Sequence, residues 1–104
     1  MSILDREYQE GKRKRLVAVV EGRVQGVGFR YFAAEQARQL RLVGTCRNLR
    51  NGSVEVIAEG EEGAVEALLV ALQQGPRISR VDNVHAIWLP PTNEFTTFTI
   101  SSTR

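Results

Sequence analysis

Apolar residues recur along this chain in two rhythms, and the rhythm changes divide it into elements. Leu16-Val17-Ala18-Val19-Val20 is apolar without a break and rich in β-branched residues. Such a run predicts a strand buried on much of both faces, hence central in its sheet. The spacing then lengthens. Phe29, Ala33, Ala37 and Leu40 define one face of a helix from about Arg30 to Leu42, with Glu35, Gln36, Arg38, Gln39 and Arg41 mostly off that face. Gly44 stands just past its expected end, as a stop signal. Val65, Leu68, Leu69 and Leu72 form a second helical stripe within residues 61–74. Glu61 and Glu62 suit its first turn, and Gly75-Pro76 ends it. Arg80 to Leu89 reads as a strand stopped by Pro90-Pro91. Phe95 to Ser101, rich in Thr and Phe, reads as a short strand suited to a sheet edge.

Between the helices lies a hairpin, Thr45 to Leu49 and Ser53 to Glu59, around Arg50-Asn51-Gly52. A two-residue turn would pair Arg47 with Val56. A three-residue turn, with Gly52 left-handed, pairs Cys46 with Val56 and Arg47 with Glu55. The second matches apolar with apolar and opposite charges with each other, so it is the expected register. It turns Asn48 to the same face as Cys46, Val54 and Val56, the core face.

The element order is βαββαβ plus a short fifth strand. This predicts an α+β, ferredoxin-like sandwich: a mostly antiparallel sheet with two helices on one face. Strand one runs up, helix one down and strand two up. The loop after strand one and Asn48 at the end of strand two therefore share one end of the sheet.

The length, 104 residues, fits a single core, expected at residues 16–104 behind a flexible tail of residues 1–15. The tail ends in Lys12-Arg13-Lys14-Arg15, a run short enough to be simply solvated. Net charge is +2, which suits an anionic ligand without requiring nucleic acid. The single cysteine, Cys46, excludes an intrachain disulfide and fits a reducing cytoplasm. No stretch is long and apolar enough for a membrane span, and no secretory signal is evident, so neither membrane nor nucleic-acid partners are expected. A cytoplasmic monomer is the expectation.

The loop Gly22-Arg23-Val24-Gln25-Gly26-Val27-Gly28-Phe29-Arg30 carries the candidate chemistry. Its glycines permit positive φ and let backbone N–H groups converge. The following helix adds its own free N–H groups and the positive end of its dipole. Arg30 supplies a fixed cationic fork. Gln25, Gly26, Val27, Gly28, Phe29 and Arg30 are the expected phosphate-binding set. The loop lacks the Lys-Ser/Thr of a Walker A motif and the glycine spacing of a dinucleotide fingerprint. His85, mid-strand, reads as a sheet-surface residue and Cys46 as a small core residue. No metal-ligand spacing is present.

A phosphate cradle, one arginine and one amide suit a substrate that carries its own leaving group. A carboxyl–phosphate mixed anhydride fits, because a carboxylate departs without a proton. Phosphoryl transfer then needs mainly positioning and charge stabilisation. Arg30 and the loop N–H groups would meet the phosphoryl oxygens, Asn48 would hold the attacking water, and the phosphoryl group would take the proton.

The stretch Val20-Glu21-Gly22-Arg23-Val24-Gln25-Gly26-Val27-Gly28-Phe29-Arg30 resembles the acylphosphatase signature throughout. Gly44-Thr45-Cys46-Arg47-Asn48, Gly52-Ser53-Val54 and Gly60 resemble the family's second signature, with Thr45 in place of its aromatic residue and Asn51 in place of its aspartate. The likeness covers roughly residues 16–101. It implies hydrolysis of acyl phosphates to a carboxylate and inorganic phosphate without metal or cofactor, with Arg30 binding phosphate and Asn48 positioning water. The Thr45 departure bears on packing more than on chemistry. The alternative is a non-catalytic anion- or RNA-binding module on the same fold, since Gly26 to Phe32 is faintly similar to an aromatic RNA-recognition motif. Nothing in the sequence identifies what would read the acyl group.

Overall fold

A computed structural model describes residues 12–102; most of the stretch expected as a tail lies outside them. The chain runs β1 (Arg13–Arg23), α1 (Phe29–Gln39), β2 (Val43–Asn48), β3 (Val54–Glu61), α2 (Glu62–Gln74), β4 (Arg80–Leu89) and β5 (Phe98–Ile100). The five strands form one sheet in the order β4-β1-β3-β2-β5. Three pairings are antiparallel, and β5 lies parallel to β2. This is the expected ferredoxin-like arrangement. Among the described residues no helix is long and apolar enough to cross a membrane.

The core sits between the sheet and both helices. Leu16, Ala18 and Val20 of β1, Val54, Val56 and Ala58 of β3, and Cys46 of β2 meet Phe29, Ala33 and Ala37 of α1 and Val65, Leu68 and Leu72 of α2, all buried. Strand β1 lies inside the sheet, as expected, yet its burial alternates. Val17 and Val19 occupy the opposite face and are only half-buried. The unbroken apolar run therefore reflects one helix-covered face and one partly open face, not two covered ones.

Strand β1 starts at Arg13, inside the stretch expected to be tail. Its basic residues have acidic partners across the sheet: Arg13 is opposite Glu61 and Arg15 opposite Glu59. Helix α1 stops before Gly44. Arg41 takes the left-handed conformation at φ 59, and Leu42 N–H bonds back to Ala37 C=O at 2.9 Å. Gly44 instead sits within β2. A Cβ there would lie 1.9 Å from the Ile57 carbonyl oxygen, so it serves close strand approach.

Strand β4 lies on one edge and β5 on the other, so residues 90–97 must cross the sheet. This shortens the expected last strand to Phe98–Ile100. The crossing is pinned on the open face by Glu59, which is fully buried. Glu59 accepts from Arg15 at 2.6 Å, from the Thr92 N–H and hydroxyl at 2.9 Å each, and from the Asn93 N–H at 3.0 Å. Burial pushes the Glu59 carboxyl up, but these donors outweigh it and hold the group at about 2.

Candidate active site

The hairpin adopts the three-residue turn. Cys46 pairs with Val56, Arg47 with Glu55 and Asn48 with Val54. Arg47 Nε and Glu55 Oε1 lie 2.8 Å apart, the cross-strand ion pair the register requires. Gly52 has φ 94, and its N–H bonds the Leu49 carbonyl at 3.1 Å. Asn48 ends β2 on the helix-facing side.

After β1 the chain turns through Gln25 to Gly28 and enters α1 at Phe29. Gly26 (φ 74) and Gly28 (φ 77) are left-handed, and a Cβ on either would meet open space. These positions therefore need glycine for backbone conformation rather than for room. Gly28 is the N-cap of α1 and has no side chain to cap with, and the first turn contains no acidic residue. The first N–H to bond back is that of Phe32, to Gly28 C=O at 3.0 Å. The preceding donors and the positive end of the helix dipole face outward uncompensated.

That terminus opens into a cavity of about 180 Å³. Gly26, Gly28, Phe29, Arg30, Tyr31 and Asn48 line it, together with Val24. Arg30 donates from Nη1 to the Ser101 carbonyl at 3.3 Å, so the segment after β5 steadies the guanidinium. Asn48 Oδ1 is buried and has no hydrogen-bond partner among the described residues. A buried acceptor without a donor costs free energy, so a donor entering the cavity is favoured there.

Five of the expected site residues thus share one cavity: Gly26, Gly28, Phe29, Arg30 and Asn48. Phe29 is only 1% exposed, so its side chain belongs to the core and only its N–H can serve a ligand. Its burial at a helix start also removes it from the exposed stacking surface that an RNA-binding module needs. Val27 packs against the core. The Gln25 side chain is committed elsewhere. Its Nε2 donates to the Leu49 and Ser53 carbonyls, both at 2.8 Å. Sequence reasoning missed this bridge, the Ser101 contact and the place of Tyr31 on the cavity rim.

Cys46 is fully buried; its Sγ donates to the Arg30 carbonyl at 3.4 Å. Burial pushes its thiol up to about 11, against the opposing pull of Arg30 and Arg38. That thiol is a poor nucleophile at neutral pH. His85 is exposed on the open face, against Glu21 and Asn83, away from the cavity. Roomier grooves lie elsewhere. One, of about 550 Å³, runs beside Glu21, Asn51 and Arg80; the second, of about 660 Å³, beside Arg15, Arg47 and Phe95; a third, of about 300 Å³, beside Gln73, Asp82 and Val84. None of them contains the Gly26–Gly28 turn or Asn48. In the second, the Thr45 and Ser101 hydroxyls are hydrogen-bonded to each other. Among the described residues no group of three or more His, Cys, Asp or Glu side chains could hold a metal ion.

The acylphosphatase family model matches residues 16–100. An acylphosphatase of Thermus thermophilus is 54% identical over 74 residues, covering 71% of this chain and 84% of the relative. An acylphosphatase of Salinibacter ruber is 42% identical over 92 residues, covering 88% of this chain and 97% of the relative. The crystal structure of the Bacillus subtilis acylphosphatase superposes with a TM-score of 0.82 at 34% identity, covering 85% of this chain and 98% of that one.

Proposed function

The chain belongs to the acylphosphatase family and hydrolyses acyl phosphates, and we propose that the cavity between the Gly26–Gly28 turn, Arg30 and Asn48 is where it does so. The phosphoryl group sits on the N-terminus of α1. The loop and first-turn N–H groups and the Arg30 fork meet its oxygens. Water donates one hydrogen bond to Asn48 Oδ1 and another to a phosphoryl oxygen, which fixes its lone pair toward phosphorus. The water oxygen forms the new P–O bond as the bond to the acyl oxygen breaks. The carboxylate leaves with that electron pair, and the water's proton passes to a phosphoryl oxygen. Positioning and preorganised charge carry the reaction, since the leaving group needs no acid.

The observation that carries this reading is the buried, partnerless Asn48 Oδ1 in the same cavity as Arg30 and the uncapped helix start. The domain, residues 16–104 with β1 extended back to Arg13, works as a cytoplasmic monomer without metal or cofactor. The test is benzoyl phosphate hydrolysis in the presence of a chelator. Arg30→Ala and Asn48→Ala should each lose most turnover while the fold is kept. Full activity in the double variant would remove this site from the mechanism.

A further inference from the structure

We infer that Tyr31 reads the acyl half of the substrate, and that the enzyme favours flat aromatic or conjugated acyl phosphates over acetyl-sized ones. The inference rests on the site proposed above and adds the substrate class. A cavity of about 180 Å³ accommodates a phosphoryl group and a water. It is smaller than the roughly 300–1,000 Å³ of sites that enclose a whole small molecule. The acyl group must therefore extend past the rim.

Tyr31 stands on that rim, one residue beyond Arg30 in the first turn of α1. It is 74% exposed. The other exposed large apolar residues, Val70, Ile78, Ile87, Trp88 and Leu89, lie outside this cavity. The remaining described aromatics are all engaged. Phe29 and Phe32 pack with ring centroids 6.0 Å apart, Lys14 Nζ caps Trp88 at 3.8 Å, Arg15 lies over Phe95 at 5.6 Å, and Phe98 is buried. Among the described residues the Tyr31 side chain has neither a ring partner, a cation nor a hydrogen bond. An unengaged ring at the mouth of a phosphoryl site offers a stacking surface to a planar group leaving that mouth. An aliphatic acetyl group gains little from it.

The experiment compares benzoyl phosphate with acetyl phosphate in wild type, Tyr31→Ala, Tyr31→Phe and Arg30→Ala. Aromatic stacking of ordinary strength sets the expectation: the ratio of kcat/KM for benzoyl over acetyl phosphate falls about 2- to 10-fold in Tyr31→Ala. The loss should lie mainly in KM, and Tyr31→Phe should restore the wild-type ratio. An unaltered ratio in Tyr31→Ala overturns the inference, as does a Tyr31→Phe ratio as low as that of Tyr31→Ala. Loss of both substrates in Arg30→Ala keeps the underlying site intact whichever way Tyr31 falls. Retained turnover in Arg30→Ala removes the site and this inference together.

Discussion

Gln25 and Leu49 are joined by a 2.8 Å hydrogen bond from side-chain amide to backbone carbonyl, and the same nitrogen donates at 2.8 Å to Ser53. Both protons of one NH2 group are thus spent on the mouth of the hairpin that carries Asn48. The bridge ties the turn before α1 to the hairpin end that carries Asn48. Gln25→Met keeps the length of the side chain and removes both donors. It should destabilise the fold by about 1–3 kcal/mol in urea unfolding, as two carbonyls lose a partner. It should also lower kcat on benzoyl phosphate more than it weakens inhibition by inorganic phosphate.

Asn48→Ala separates catalysis from stability. Among the described residues Oδ1 has no hydrogen-bond partner, so its removal breaks no bond within the protein. Turnover should fall by about 100-fold or more, the scale of losing one preorganised polar group. The melting temperature should stay close to that of the wild type. A marked fall in melting temperature would mean that Asn48 has a structural role.

Arg30→Lys keeps the charge but replaces a planar fork with a point charge. It should still lose about 100-fold in kcat/KM, and inhibition by inorganic phosphate should weaken with it. Near-normal activity in the lysine variant would show that charge alone suffices.

Two glycines with positive φ should respond to very different degrees. Gly28→Ala meets no neighbouring atom, so it should cost only the left-handed strain of about 1–2 kcal/mol, together with weaker phosphate binding. Gly44→Ala drives a Cβ to 1.9 Å from the Ile57 carbonyl oxygen and should cost about 4 kcal/mol or more. Circular dichroism and urea melts of the two variants check the contrast.

Glu59 links stability to acid. Its folded carboxyl, which burial would raise, is held by its donors at about 2, below its ordinary value of 4.5. A depressed folded value means stability that is present above pH 4.5 and is lost as pH falls toward 2. Glu59→Gln should lower stability at pH 7 by about 1.5–3 kcal/mol and flatten the acid limb of the melting-temperature profile.

The helices, the hairpin register and the glycine turn before α1 were legible in the sequence because each is a local pattern. Phe29, Ala33 and Ala37 announce a helix face, and the pairing of Arg47 with Glu55 decides between two registers. What escaped depends on partners far along the chain. Arg13 and Arg15 look like a solvated tail until Glu61 and Glu59 are placed beside them. Gly44 looks like a helix stop until Ile57 is seen against its backbone. Nothing near Gln25 in the sequence tells that its side-chain amide faces Leu49 and Ser53. The geometry of Arg30 and Asn48 lay between these cases, because the topology placed them at one end of the sheet.

The central position of β1 also governs how the molecule comes into being. Its two neighbours are supplied by residues 54–61 and 80–89. Neither can dock until a long intervening loop has been closed, and that entropy must be lost before any contact rewards it. Helices α1 and α2 can flicker into existence early on their own. The sheet that makes them permanent cannot, so refolding should be slow for so small a chain, in milliseconds to seconds rather than microseconds.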